Sequence, residues 1–288
     1  MDHATFDGIL KKNVCDERVD YLSIRRHHWK ELRDYLDRLA EVNAGALPRN
    51  EQLAYYINLY NATVIDAVIQ RFKVGYSLSR AEFGVFREPL VRLPGRTVSL
   101  NDLENKIIRP TFKEPRIHVA LVCAARSCPP LLPRAYGAED LETVLAEGMR
   151  RFVNDPTHNK IDAERKRLRL SRIFDWYADD FGGRDALPKY LAKYTDAKLA
   201  GAKVGFLEYS WDLNIAPPRE GKWVAIAADK AELRSAPDNG LSVGSAAAGE
   251  VFRVLEEQNG WVRIERPFDL GHAWLARRSA RPFRLANP

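Results

Sequence analysis

Cysteine is scarce in this sequence: there are three in 288 residues, Cys15, Cys123 and Cys128. Three are too few for a disulfide scaffold and one short of a four-cysteine zinc site. Long apolar runs are missing as well. No stretch approaches the ~20 residues that cross a bilayer, so no transmembrane segment is expected. Neither a Gly-x-Gly-x-x-Gly pattern nor a Walker motif occurs, and no nucleotide or other cofactor is implied. The N-terminus, Met1-Asp2-His3-Ala4-Thr5-Phe6, lacks a basic stretch followed by an apolar one, so no secretory signal is read there. The compartment stays open between the cytoplasm and a cell envelope reached through a trimmed leader. The net charge of +6 and pI of 9.2 invite a nucleic-acid reading. The one dense basic run, Arg165-Lys166-Arg167-Leu168-Arg169, falls between two expected strands. A solvated hairpin accounts for it, and nucleic acid is not an expected partner.

What is present predicts two domains, α+β followed by all-β. Helical spacing of apolar residues marks Thr5 to Val14, Trp29 to Val42 (Leu32, Tyr35, Leu36, Leu39) and Ala138 to Val153. Asn50 to Phe72, with Asn50 as its N-cap, is apolar nearly all round and should be buried on most faces, with Asn58 and Asn61 needing partners inside. Ser99 should cap a helix from Asn101 that Pro110 stops. Ile117-His118-Val119-Ala120-Leu121-Val122-Cys123-Ala124 reads as a central buried strand. Ile161 and Leu168-Arg169-Leu170 read as a hairpin, Ser171 to Phe181 as a helix ending at Gly182-Gly183, and Val204 to Tyr209 as a strand. The period then changes. After a linker at 216–221, containing Pro217-Pro218, short strands alternate with turns: Val224 to Ile226, Leu233-Arg234, Val251 to Leu255, Trp261 to Ile264 and His272 to Leu275. The expected division is 1–215, a linker at 216–221, and 222–288, with the last part a small barrel.

The C-terminal pattern resembles a bacterial SH3-like domain over about residues 222–283. The features are Leu233-Arg234-Ser235-Ala236-Pro237, Gly260-Trp261-Val262-Arg263-Ile264 and Ala273-Trp274-Leu275. The resemblance implies an SH3-like β-barrel that binds peptides or cell-wall polymers such as peptidoglycan, or that positions a catalytic partner. About residues 5–215 resemble the domain-of-unknown-function family 547. Four blocks carry this likeness: Tyr56 to Ala62, Ser99 to Glu104, Pro115 to Pro130, and Phe174-Asp175-Trp176-Tyr177-Ala178-Asp179-Asp180-Phe181. The family's name implies no activity.

The chemistry must therefore come from the residues. His118, Cys123 and Cys128 are the one constellation that can run a reaction. Strand alternation would point His118 and Cys123 to opposite faces. Cys128 lies past the strand end, with Arg126 nearby to favour a thiolate and Pro129-Pro130 suited to a first helical turn. The catalytic expectation is Cys128 as nucleophile and His118 as base, with Asn58 as an orienting amide by analogy with Cys-His-Asn proteases; Arg126 and Asn61 are binding candidates. Against it stand packing roles: Cys123 as a core residue, Cys128 as packing or as a disulfide partner of Cys123, His118 as a bonded core histidine, and Asn58 and Asn61 as structural clamps. A phosphatase loop at Cys128 to Arg134 is rejected because Pro129, Pro130 and Pro133 remove amide donors. Zinc is rejected on ligand count. Asp175, Asp179 and Asp180 read as a solvated acidic face. Two functions follow: a thiol-dependent hydrolase or acyltransferase of papain-like or transglutaminase-like character, acting on a peptide or cell-wall substrate, or a non-catalytic binding or scaffold protein.

Overall fold

The helix Arg49–Arg71 is the axis around which the first two hundred residues pack. The computed structural model describes residues 1–218, 220–268 and 270–285. Every residue of that helix from Leu53 to Ile69 is buried, which follows from the absence of a polar stripe. Pro48, not Asn50, precedes its first turn. The proline's fixed φ suits that position, and the missing N–H is one the helix start would leave unpaired anyway. The apolar stripe of Trp29–Ala40 packs on both Ala4–Asn13 and this axis.

Ser99 caps as its chemistry predicts, its hydroxyl accepting from the Asp102 N–H at 3.0 Å. Pro110 does not stop the helix. Leu100–Asp102 runs into a π-wound stretch, Leu103–Ile108, and the chain stays helical through Arg109–Phe112 until Lys113 turns left-handed at φ 46°. Widening the winding ahead of a proline re-routes the bonds its missing N–H would break.

The run Ile117 to Ala124 is not a strand. Pro115–Val119 is a 3₁₀ helix whose start is capped by Glu114, and the chain beyond it is irregular. The apolar run is buried by packing against the helix Leu141–Asn154 and the central axis, and a short apolar run carries no period that separates these cases. The hairpin Lys160–Asp162 and Arg167–Leu170 forms with Ile161 opposite Leu168, and Lys203–Phe206 joins it in parallel. The helical segment after Ser171 splits into Ile173–Trp176 and a 3₁₀ turn, Ala178–Phe181, ended by Gly182 at φ 91°.

The C-terminal part is one antiparallel sheet of seven strands. In spatial order they are Ser242–Ala247, Lys230–Arg234, His272–Ala276, Trp261–Glu265, Val251–Gln258, Lys222–Ile226 and Ala280–Pro282. Among the described residues the two outer strands do not pair, so the sheet stays open where a closed barrel was expected. Val224, Ile226, Leu233, Phe252, Val262, Ile264 and Leu275 fill its inner face. Ser242–Ala247 and Ala280–Pro282 escaped the sequence reading because they are short, mostly exposed edge strands without alternation. The sheet is docked on the helical part. Trp223, Ala225 and Val251 join its core, and the Val74 N–H donates to Gly249 O at 2.7 Å. Gly249 has φ 81°, and a Cβ there would come within 3.1 Å of the Val74 carbonyl.

Trp261, directly after Gly260, lies outside the core. The ring is half-buried and its Nε1–H donates to Asp238 Oδ1 at 3.0 Å. The next residues inward, Val262 and Ile264, are the fully buried ones. Trp261→Ala should therefore cost ~1 kcal/mol or less, whereas Ile264→Ala should cost ~2–5 kcal/mol through the cavity it leaves. Denaturant melts of the two variants check this order.

Candidate active site

A cleft of about 240 Å³ opens between the helical core and the segment that precedes the C-terminal sheet. Both thiols and His118 line it, together with Glu104, Tyr60, Tyr177, Trp176, Tyr209 and Trp211. Because the strand does not form, the expected divergence of His118 and Cys123 disappears.

One end of the cleft is a pair of thiols. Cys123 Sγ lies 2.8 Å from Cys128 Sγ, and the Cys123 N–H donates to Cys128 Sγ at 2.9 Å. The Tyr209 hydroxyl lies 3.3 Å from Cys123 Sγ. Burial opposes ionisation of Cys123, but hydrogen bonds from the Cys128 thiol, the Tyr209 hydroxyl and the Ala125 amide outweigh it and hold the thiol below its ordinary range. Cys128 is the reverse case. Burial, and then the adjacent Cys123, push its thiol well up. The backbone is arranged for this. Ala124, between Cys123 and Ala125, is held at φ 63°, a left-handed conformation unfavourable for alanine. The loop is fixed from outside: Asn214 N–H to Ala124 O at 2.9 Å, Arg126 N–H to Asp212 O at 2.7 Å, and His158 Nε2 to Cys128 O at 3.2 Å.

The other end is a line of charges. His118 Nε2 donates to Asp180 Oδ2 at 2.7 Å, and Nδ1 faces Glu104 Oε1 at 3.8 Å. Arg109 grips Asp180 with Nε and Nη2 at 2.7 and 2.9 Å. Tyr177 stacks on the imidazole at 3.8 Å between centroids. Glu104 and Arg109 come from the π-wound stretch and the turn after it, which set Glu104 beside His118 and Arg109 on the Asp180 carboxylate that His118 holds.

Burial works against the Asp180 charge, but hydrogen bonds from His118 and Arg109 hold its carboxyl well below the usual carboxylate range. Its folded-state affinity for protons is thus weaker than in the unfolded chain. The stabilisation is complete above the ordinary carboxylate pKa and is lost as pH falls through the depressed value. Asp180→Asn should flatten the loss of stability below about pH 4, measured by denaturant melts across that range.

The expected site residues are distributed unevenly over this geometry. His118 and Cys128 line the cleft. Asn58 does not orient His118; its amide is spent on Tyr136, donating to the carbonyl at 2.8 Å and accepting from the N–H at 2.9 Å. Asn61 is spent in the same way on Ala120 O and Val122 N–H, both at 2.9 Å. Arg126 is exposed and does not line the cleft. Asp180, read as part of a solvated face, is the partner of His118, and Asp175 is bound by Arg172 and Arg184. The aromatics interleaved in Phe174 to Phe181 were the available signal that this face packs. Glu104, Tyr209 and Trp211 were missed; nothing local distinguishes them. Cys15 is exposed, far along the chain from the cleft residues and absent from its lining. Among the described residues no group of three or more His, Cys, Asp or Glu side chains is placed to hold a metal ion, and no helix is long and apolar enough to cross a membrane.

Most of the cleft lining comes from one continuous stretch of chain, between Tyr60 and Cys128. Residues 45–153 match the family model described as "Protein of unknown function, DUF547". The DUF547 match takes in the central helix, the π-wound stretch, His118 and both thiols, and therefore three of the four blocks that carried the resemblance. The block at 174–181 and the C-terminal sheet lie beyond it. No curated protein and no solved structure matches the chain.

Proposed function

We propose that the chain is a thiol-dependent hydrolase or acyltransferase in which Cys123, rather than Cys128, is the nucleophile. The observation that carries this reading is the Cys123 thiol itself: it lines the aromatic cleft, and three donors converge on it behind a strained Ala124. Cys128 is buried; at rest its sulfur accepts from the Cys123 thiol, and its S–H becomes a donor once Cys123 is a thiolate. The thiolate attacks a carbonyl carbon seated against Trp176, Trp211 and Tyr209. Protons enter and leave through Glu104 and His118. The imidazole faces a carboxylate on each side, so it acts within this charge line and not as a direct partner of sulfur.

The C-terminal sheet takes the substrate-holding role in this proposal, as an open form of the SH3-like barrel. A surface groove along it is lined by Trp261, Arg234, Asp238, Arg277 and Arg278, and a half-buried tryptophan beside guanidinium groups suits a peptide or cell-wall peptide with acidic groups.

Acyl trapping tests the catalytic half. In a Cys15→Ala background, p-nitrophenyl acetate should place a single acetyl group on Cys123, located by peptide mapping and lost again on incubation. Cys123→Ser should stay unmodified. Acetylation of Cys128 alone, or of neither thiol, would overturn the proposal.

A further inference from the structure

We infer that Cys123 and Cys128 form a redox-active dithiol that exchanges with external disulfides, Cys123 attacking and Cys128 resolving. This does not rest on the acyl-transfer reading, although both use the Cys123 sulfur.

The geometry points to a pair and not to two independent cysteines. Their sulfurs are 2.8 Å apart, and a disulfide needs an approach to about 2.05 Å. The loop between them is tied at Ala124, Arg126 and Cys128 to neighbouring segments, so neither thiol can swing away. Access is asymmetric. Cys123 is half-buried, and Cys128 is buried behind it. A disulfide entering the cleft therefore meets Cys123 first. Thiol–disulfide couples work with this division, an accessible thiolate that attacks and a shielded thiol that waits.

The steps balance as follows. The Cys123 thiolate attacks one sulfur of an external disulfide RSSR′; the Cys123–S–S–R bond forms, the external S–S bond breaks, and R′S⁻ leaves. Cys128 then gives up its proton and attacks the Cys123 sulfur. The Cys123–Cys128 bond forms, the mixed disulfide breaks, and RS⁻ leaves. The protein pair is oxidised by two electrons and the external disulfide is reduced to two thiols, which take up the two protons the pair has lost. A second dithiol of the reductant class reverses the sequence. Trp176, Tyr209 and Trp211 form the wall beside Cys123, so the disulfides favoured are those flanked by aromatic or apolar groups.

The probe is dithionitrobenzoate, an aromatic disulfide, used with the Cys15→Ala chain after full reduction. Each protein should release two nitrothiobenzoate ions, keep no adduct, and show a Cys123–Cys128 cross-link by peptide mapping. Cys128→Ser should release one ion and retain a stable mixed disulfide on Cys123. Cys123→Ser should react slower by on the order of 100-fold. A stable adduct on Cys123 in the chain that keeps Cys128, or adducts on both thiols without a cross-link, would overturn the inference. Loss of acetyl trapping with the cross-link intact would instead count against the acyl-transfer reading alone. The cross-link measurement needs no change at either thiol, so it stands even where a variant fails to fold.

Discussion

Asn61→Leu is expected to lower the stability of the helical part by about 2–5 kcal/mol, read as a shift in denaturant midpoint at constant slope. Asn61 is buried within an otherwise apolar helix, and its amide both donates to Ala120 O and accepts from Val122 N–H. Leucine has a similar size and a better match to the apolar surroundings, so packing alone would favour the change. The two backbone groups decide the outcome. Each is buried, each loses its partner, and each unpaired group costs about 1–3 kcal/mol. Asn61→Asp should destabilise at neutral pH, where the buried carboxylate is charged and cannot donate to Ala120, and should recover part of the loss in acid, where the protonated group has an O–H to donate. Because the clamp fixes the residue before Cys123, Asn61→Leu should also slow labelling of that thiol. An unchanged midpoint would show that water or a rearranged loop takes over the amide's bonds, and would end the clamp assignment.

That clamp also explains where the sequence misleads. Ile117 to Ala124 has the composition of a buried strand, but its backbone partners are supplied from helix side chains about sixty positions earlier, and no local pattern announces that. The strong signals were local ones. The all-apolar stretch after Asn50 had to be a buried helix, Ser99 had the hydroxyl to cap one, and the alternation in Trp261 to Ile264 had to be a strand. The site was legible as a set of chemical types near Cys128 and not as an arrangement. His118 finds its partner, Asp180, sixty-two residues away, and Arg109, just after the π-wound stretch, reaches the same carboxylate. The choice between the thiols depended on Ala124 adopting φ 63°, a conformation that composition argues against.

Cys123 is expected to label fast with iodoacetamide at pH 6 while Cys128 does not, in the reduced Cys15→Ala chain. An ordinary thiol, with a pKa near 8.5, is only about 0.3% thiolate at that pH. The donors around Cys123 lower its pKa, so its thiolate persists below the ordinary range and its labelling rate falls off only at a correspondingly lower pH. The same shift makes a statement about stability. Between the lowered value and the ordinary one, the folded chain binds fewer protons than the unfolded chain, so stability rises with pH across that window. Cys128→Ala removes one donor and should move the labelling midpoint of Cys123 upward. Tyr209→Phe should move it the same way, since the hydroxyl is a second donor. Cys123→Ser should leave Cys128 as the only thiol in the cleft, buried and with its pKa pushed up, and total labelling at pH 6 should drop on the order of 100-fold. Labelling of Cys128 ahead of Cys123 would return the nucleophile to the later cysteine and remove the reason for assigning the donors to Cys123.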